Sequence, residues 1–341
     1  MRSSLPGRRG VMSESIVVIS MAAAFTIGCS ARVEPTFSNV PTVTSSDSPA
    51  PAFVDRAWVR LPDAPDGRSH VAKAVVSGVI YIIGGLLSGA AGGVGATPTV
   101  ERFDPASRTW SASDPAPEPL DHAAAAAVGE TIFVFGGNFV RPTPAAFRYD
   151  LAAHAWRTIH AMPEPRAAGG AATVGTSVYV AGGFAIRPDE PVATAYRYDP
   201  AADTWEALPP LPTPRQHVAV VAYRGQVCVI GGGTSAGGSS TAVECYDPAA
   251  HHWSGLPPLP SPASDFDATT VADLLVCAGG GGQRGQLAYV FDGTAWRRLP
   301  DLAVSRYGVA IASVDRTIYV LQGASVAPPY PAGVAEALTL P

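Results

Sequence analysis

All six tryptophans of this 341-residue chain fall at an almost even spacing: Trp58, Trp110, Trp156, Trp205, Trp253 and Trp296. A period near 48 residues marks a repeat architecture, in which each repeat is one supersecondary unit that cannot bury its apolar face alone. A second register runs inside the first. Twenty-six residues after each Trp stand Gly84, Gly136, Gly182, Gly231 and Gly279, with Gln322 breaking the series. The next residue is glycine in every repeat: Gly85, Gly137, Gly183, Gly232, Gly280 and Gly323.

A short apolar run precedes each pair, for example Val79-Ile80-Tyr81-Ile82-Ile83 and Thr317-Ile318-Tyr319-Val320-Leu321. Five β-branched and aromatic residues are too few for a helix and read as a strand buried on both faces. After a stretch of variable length come Phe103-Asp104, Tyr149-Asp150, Tyr198-Asp199, Tyr246-Asp247 and Phe291-Asp292, with Asp-Pro, a turn signal, in three of the five. Charged residues are only 15% of the chain, against roughly 25% in ordinary globular proteins. With 47% apolar residues, 35 glycines and 33 prolines, this composition suits many buried strands joined by turns. The net charge of −5 and the lack of a basic stripe exclude a nucleic-acid surface.

Strand, Gly-Gly, Tyr-Asp-Pro, Trp and Pro-Arg together resemble the kelch repeat over residues 53–341. The resemblance implies an all-β, six-bladed kelch-type propeller of four-stranded antiparallel blades, a single unit of the size such propellers commonly have, and a monomer. Repeat six, parsed from Arg306, has room for three strands before Pro341. The chain opens with an unmatched Trp strand at 53–61, so this segment is expected to complete the last blade and close the ring, which removes the free sheet edges.

Ahead of the repeats, Arg2, Arg8 and Arg9 precede an apolar run of about twelve residues, 16–27, short for a bilayer span and suited to a signal h-region. Thr26-Ile27-Gly28-Cys29 resembles a lipobox, which implies lipidation of Cys29 and export to the cell envelope; cleavage after Ala31 and plain secretion is the alternative. Residues 30–52, rich in Ser, Thr, Pro and Val, read as a tether. Cys228, Cys245 and Cys277 remain, an odd number that leaves at least one thiol free or intermolecular. Cys228 and Cys245 lie in adjacent predicted strands, and a bridge between them is open until the register is known.

In a kelch blade the loop entering the first strand and the loop after Gly-Gly lie on one face, and the latter is the segment of variable length, 18 residues from Gly85 to Phe103 but 11 from Gly280 to Phe291. That face is the expected binding face. Arg68, Arg166, Arg215 and Arg306 share one register, which favours a structural role beside a binding one. Ser69, His70, Asp121, His122, Gln216, His217, Asp265, Asp267 and Tyr307 lie next to that register and make the ligand-binding candidates, with Asn138, Arg141, Arg187 and Arg284 from the variable loops. His70, His122 and His217 share a register but sit on separate blades, so no metal site is expected from them. Lys73, the only lysine, reads as coding bias.

No cofactor motif is present: there is no nucleophile elbow, phosphate loop or zinc spacing. The reading is therefore an exported or lipid-anchored binding module for a protein segment or a glycan. The alternative is an enzyme similar to N-acetylneuraminate epimerase, an exported six-bladed kelch family, with Asp121, Asp265 and His122 as acid and base and Arg215 holding a carboxylate. A galactose-oxidase-like reading needs seven blades and a Tyr–Cys cross-link, and neither is indicated.

Overall fold

A computed structural model describes residues 56–88, 94–281, 285–325 and 333–341. The signal segment with Cys29, the tether and Arg284 lie outside these residues. The described residues form six four-stranded antiparallel sheets and no helix. Five are built from consecutive strands, the first being Ala72–Val76, Val79–Ile83, Val100–Asp104 and Thr109–Ser113. The sixth joins both ends of the chain: Ala310–Val314, Thr317–Leu321 and Ala335–Thr339 take Val59–Arg60 as their fourth strand, with Val59 opposite Ala337 and Arg60 opposite Glu336. The innermost strands touch in turn, Ala72–Val76 against Ala124–Val128 and so on to Ala310–Val314, which returns to Ala72–Val76. The ring is thus closed by the amino-terminal strand.

Each second strand is buried along its length, as Ile80, Ile82 and Ile83 and their counterparts Val178 and Val180 illustrate. It pairs on both sides within its blade and packs between neighbouring blades. The hairpin from the third strand to the outermost one is held by the aspartate of the Tyr-Asp or Phe-Asp pair, whose Oδ1 accepts a backbone N–H two or three residues on: Ala106 to Asp104 at 2.9 Å, Ala201 to Asp199 at 2.9 Å and Ala249 to Asp247 at 2.8 Å. The six tryptophans then fasten blade to blade. Each indole N–H donates to the carbonyl of the residue four positions past the preceding repeat's tryptophan: Trp110 to Pro62 at 2.9 Å, Trp205 to His160 at 2.9 Å, and Trp58 to Pro300 at 2.8 Å across the closure. Trp205 is only half-buried, so its contribution is less than that of a core tryptophan.

The glycine pairs fasten the blades at the other end of the strands. The second glycine of each pair donates its N–H to the carbonyl at the shared arginine register of the next blade: Gly85 to Leu120, Gly137 to Arg166, Gly183 to Arg215, Gly232 to Ala263, Gly280 to Arg306 and Gly323 to Arg68, all at 2.7–2.9 Å. At Gly183 the backbone sits at φ 90°, and a Cβ would meet the Ala167 carbonyl oxygen at 2.5 Å. Only glycine fits there. Gln322, which breaks the series, does so at the closing seam. Its Oε1 accepts the Arg68 N–H at 2.9 Å and its Nε2 donates to Glu101 at 3.1 Å, binding blade six to blade one. Cys228 and Cys245 face each other in register and form a disulfide, while Cys277 is free and buried, its thiol pushed up to about 12 by burial.

Candidate functional site

The four register arginines, whose recurrence favours a structural role and which also stand among the binding candidates, lie in the core and not on the binding face. Arg68, Arg215 and Arg306 are 0% exposed and Arg166 2%. Each guanidinium turns back into its own blade and donates to the carbonyl 16 residues on, Gly84, Gly182, Gly231 or Gln322, and to a carboxylate: Glu101, Glu164, Glu244 or Glu336. In blades one, four and six that carboxylate comes from the third strand. In blade three the third strand offers Tyr196 instead, with the Arg166 guanidinium 5.6 Å from its ring centre, and Glu164 supplies the charge. Blades two and five have Leu120 and Ala263 in place of the arginine and aromatic Phe147 and Tyr289 in the third strand. Burial draws the Arg306 guanidinium down to about 10 against the attraction of Glu336, so it stays charged at neutral pH. These are paired core groups. Arg215, in particular, has no free edge with which to hold a substrate carboxylate.

Two residues past this register the chain enters the innermost strand through a left-handed residue in every blade: His70, His122, Ala168, His217, Asp265 and Gly308, with φ between 50° and 60°. Their backbones bond head to tail around the axis. The N–H of His122 donates to the His70 carbonyl at 3.0 Å, Ala168 to His122 at 2.9 Å, His217 to Ala168 at 2.7 Å, Asp265 to His217 at 3.2 Å, Gly308 to Asp265 at 2.7 Å and His70 to Gly308 at 2.8 Å. This closed girdle of six hydrogen bonds narrows the axial channel to the width its own side chains leave.

The girdle brings together residues that are far apart in sequence. The His70 and His122 rings stack with centres 4.0 Å apart, and His217 meets His122 edge-on at 5.1 Å. The ligand atoms of the three imidazoles lie within 4.8 Å of one another although the histidines come from separate blades. Equal registers in a closed ring are equidistant from the axis, and here the girdle puts that register on the axis itself. Asp265 lies between two of them, its Oδ1 3.3 Å from Nε2 of His70 and 3.3 Å from Nε2 of His217. Asp121 accepts at 2.7 Å from His122 Nδ1 and at 2.9 Å from the Phe139 N–H; Ser69 Oγ lies 3.1 Å from His70 Nδ1.

Burial holds His122 down to about 4, despite its bond to Asp121, and lowers His217 against the pull of Asp265, so both are neutral imidazoles at pH 7. Burial opposes ionisation of Asp121 and Asp265, but their histidine partners outweigh it and keep both below the usual carboxylate range. The Phe139 ring covers the cluster, 4.7 Å from the His122 ring and 5.8 Å from that of His217, and Tyr307 meets His70 edge-on at 5.7 Å. Behind the histidines lies a cavity of about 110 Å³, lined also by Lys73 and Asp267. Lys73 pairs with Asp267 and donates to the Ala268 carbonyl at 2.9 Å, while Asp267 accepts the Ile311 N–H at 2.8 Å. Farther along the axis the channel widens between Ala74, Ala126, Ala172 and Ala312.

Of the other sequence candidates, Gln216 is at the mouth, its N–H bonded to Gly233, and Asn138 orders its own loop by accepting the Arg141 N–H at 3.1 Å. Arg187 is exposed and paired with Glu190. Phe139 and Lys73 escaped the sequence reading. A single lysine in a strand register filled elsewhere by Ala125, Ala171 and Val220 was the available signal for Lys73. Phe139 carried none, because its value depends on which ring it covers.

The comparisons with known proteins agree with this architecture. The family model of the KLHDC2/KLHL20/DRC7 Kelch-repeats domain matches residues 69–280. Kelch-like protein 35 of Homo sapiens is 36% identical over 80 residues, 24% of this chain and 13% of that protein. Kelch-like protein terF of Aspergillus terreus is 35% identical over 81 residues, 24% of this chain and 17% of its own length. The chain therefore spans a small part of these relatives. The solved structure of YjhT superposes with a TM-score of 0.65 at 19% identity, over 82% of this chain and 95% of YjhT, a likeness of fold. By its repeats, its blade topology and the family match, the chain belongs to the kelch-repeat family.

Proposed function

We propose that this protein is exported and binds a protein segment on the face that carries the girdle and the loops after Gly-Gly. The observation that carries this reading is a pair of exposed apolar side chains on neighbouring loops of that face: Val140, 84% exposed, and Ile186, 73% exposed. They stand over a fixed base, since Phe139 and Phe184 pack edge-on at 5.3 Å on a small core of Ala167 and Ala168. An apolar pair held out by packed aromatics is the form of a binding contact, because leaving it in water costs free energy that a partner recovers. Arg141 follows Val140 directly in sequence and suits a segment with an acidic residue beside its apolar anchor, whereas Arg187 is already paired with Glu190. Membership of the kelch family supports a protein partner over other classes. The epimerase alternative loses support with Arg215 buried and paired.

Export is supported by the amino-terminal sequence ending at Cys29 and by the Cys228–Cys245 disulfide, since such bonds persist in oxidising compartments. Acylation of Cys29 is read by mass spectrometry of the mature amino terminus; an unmodified start at Arg32 excludes it. For the binding reading, a displayed library of random peptides is selected on the purified protein, with a glycan array in parallel. Selected peptides should lose at least about tenfold in affinity for a V140S/I186S variant, the loss expected when an apolar anchor worth about 1.4 kcal/mol or more is removed. Peptides that bind the variant as tightly, or glycans bound with no peptide selected, would sink this reading.

A further inference from the structure

We infer that the axial girdle is a binding site for one divalent transition-metal cation of the zinc class, held by His70, His122, His217 and Asp265. The first ground is donor spacing. Ligand atoms about 2.0–2.2 Å from a tetrahedral zinc lie roughly 3.3–3.6 Å from one another. Asp265 Oδ1 already stands 3.3 Å from Nε2 of His70 and 3.3 Å from Nε2 of His217. The three imidazoles have their ligand atoms within 4.8 Å of one another, so small side-chain rotations about a backbone ring that does not move bring the set to bonding distance.

The second ground is the outer partners. A histidine that binds metal through one nitrogen holds its ring by the other, on a carboxylate, a carbonyl or a hydroxyl. Asp121 takes Nδ1 of His122 and is itself fixed by the Phe139 N–H; Ser69 takes Nδ1 of His70. Both arrangements leave Nε2 for the axis. A cluster that merely plugged the channel would not need a buried carboxylate behind a ring that already stacks on its neighbour.

Charge is the third. The cluster and the cavity behind it bring the three carboxylates of Asp121, Asp265 and Asp267 against the one ammonium of Lys73, which is already paired with Asp267. A cation relieves that excess, and an anion would add to it. Imidazole with a single carboxylate suits zinc, copper and nickel better than calcium or magnesium, which take oxygen ligands. The cavity of about 110 Å³ behind the ligands leaves room for water or a small donor on the metal.

The test uses the purified protein, stripped of metal with a chelator and titrated with Co²⁺ and then Zn²⁺. One cobalt per chain should bind with the intense visible absorption of a four-coordinate site, and zinc should displace it and raise the melting temperature. His217→Ala and His122→Ala should abolish the absorption. Asp121→Asn should keep the site but weaken it about 10–100-fold, as loss of an outer-shell carboxylate does. His154→Ala, in an exposed turn at the far end of blade two, should change nothing. Should a histidine variant fail to fold, the zinc-dependent rise in melting temperature of the unaltered protein decides the matter alone. Absence of stoichiometric cobalt, or binding that survives both histidine substitutions, overturns the inference.

Discussion

The rim of this ring and its axis repeat in different ways. At the rim the side chain repeats: six tryptophans each give an indole N–H to the preceding blade's loop. At the axis only the backbone repeats. Six left-handed residues close a ring of N–H···O=C bonds while their side chains are His, His, Ala, His, Asp and Gly. Where a side chain makes the bond between blades, changing it loses the bond. Where the backbone makes it, the side chains are released, and four different residue types can stand at one register and be used for a ligand. The arginine layer between rim and axis behaves like the rim, with the added cost that its groups are charged and buried.

That contrast can be broken most forcefully in the arginine layer. Arg306 and Glu336 are 0% and 1% exposed, and Glu336→Ala leaves the guanidinium buried without its counter-charge. The expected loss is about 3–5 kcal/mol, measured by denaturant unfolding with unchanged m-value. A loss below about 1 kcal/mol would mean that water reaches Arg306 and that this layer is not built like a core.

The girdle offers a sharper test at intermediate size. Gly308 sits at φ 60°, and a Cβ there would lie 2.8 Å from the His70 nitrogen and 3.1 Å from its ring. Gly308→Ala should cost more than about 1 kcal/mol and displace His70. Ala168→Gly, at φ 54° in the same register, should instead change stability by less than about 1 kcal/mol, because relief of a left-handed alanine offsets the loss of its buried methyl and no girdle bond is removed. If both changes destabilise equally, the side chains of the girdle matter to the fold and the contrast with the rim fails.

The smallest effect belongs to the rim. Trp205→Phe keeps an aromatic ring but removes the indole N–H that donates to the His160 carbonyl at 2.9 Å. Because Trp205 is half-buried, the cost should be about 1 kcal/mol, read as a lowered denaturation midpoint. No measurable change would show that the tryptophans act through ring packing alone, as between Trp205 and Tyr198, whose rings lie 4.9 Å apart.

The repeat length, the strand before Gly-Gly, the aspartate turn and a closing strand next to Trp58, which the structure limits to Val59–Arg60, were all legible in the sequence, because each is local. A strand follows from a few β-branched and aromatic residues, a turn from Asp-Pro, and closure from counting strands at the two ends. The disulfide and the arginine pairs lie one step further out. Cys228 and Cys245 were visibly on neighbouring strands, but only the register set them face to face, and Arg68 showed its repetition without showing that Glu101 was its partner. His70, His122, His217, Asp121 and Asp265 were legible as candidates beside the arginine register, but tertiary structure alone decided that they meet. His70 and His122 are 52 residues apart in the chain and His122 and His217 are 95 apart; the three meet because the ring closes, and because the register of His70, not that of Lys73, forms the girdle. The distance of a register from the axis depends on blade twist and on a ring of backbone bonds that exists only once all six blades are in place. No single repeat, read by itself, contains that information.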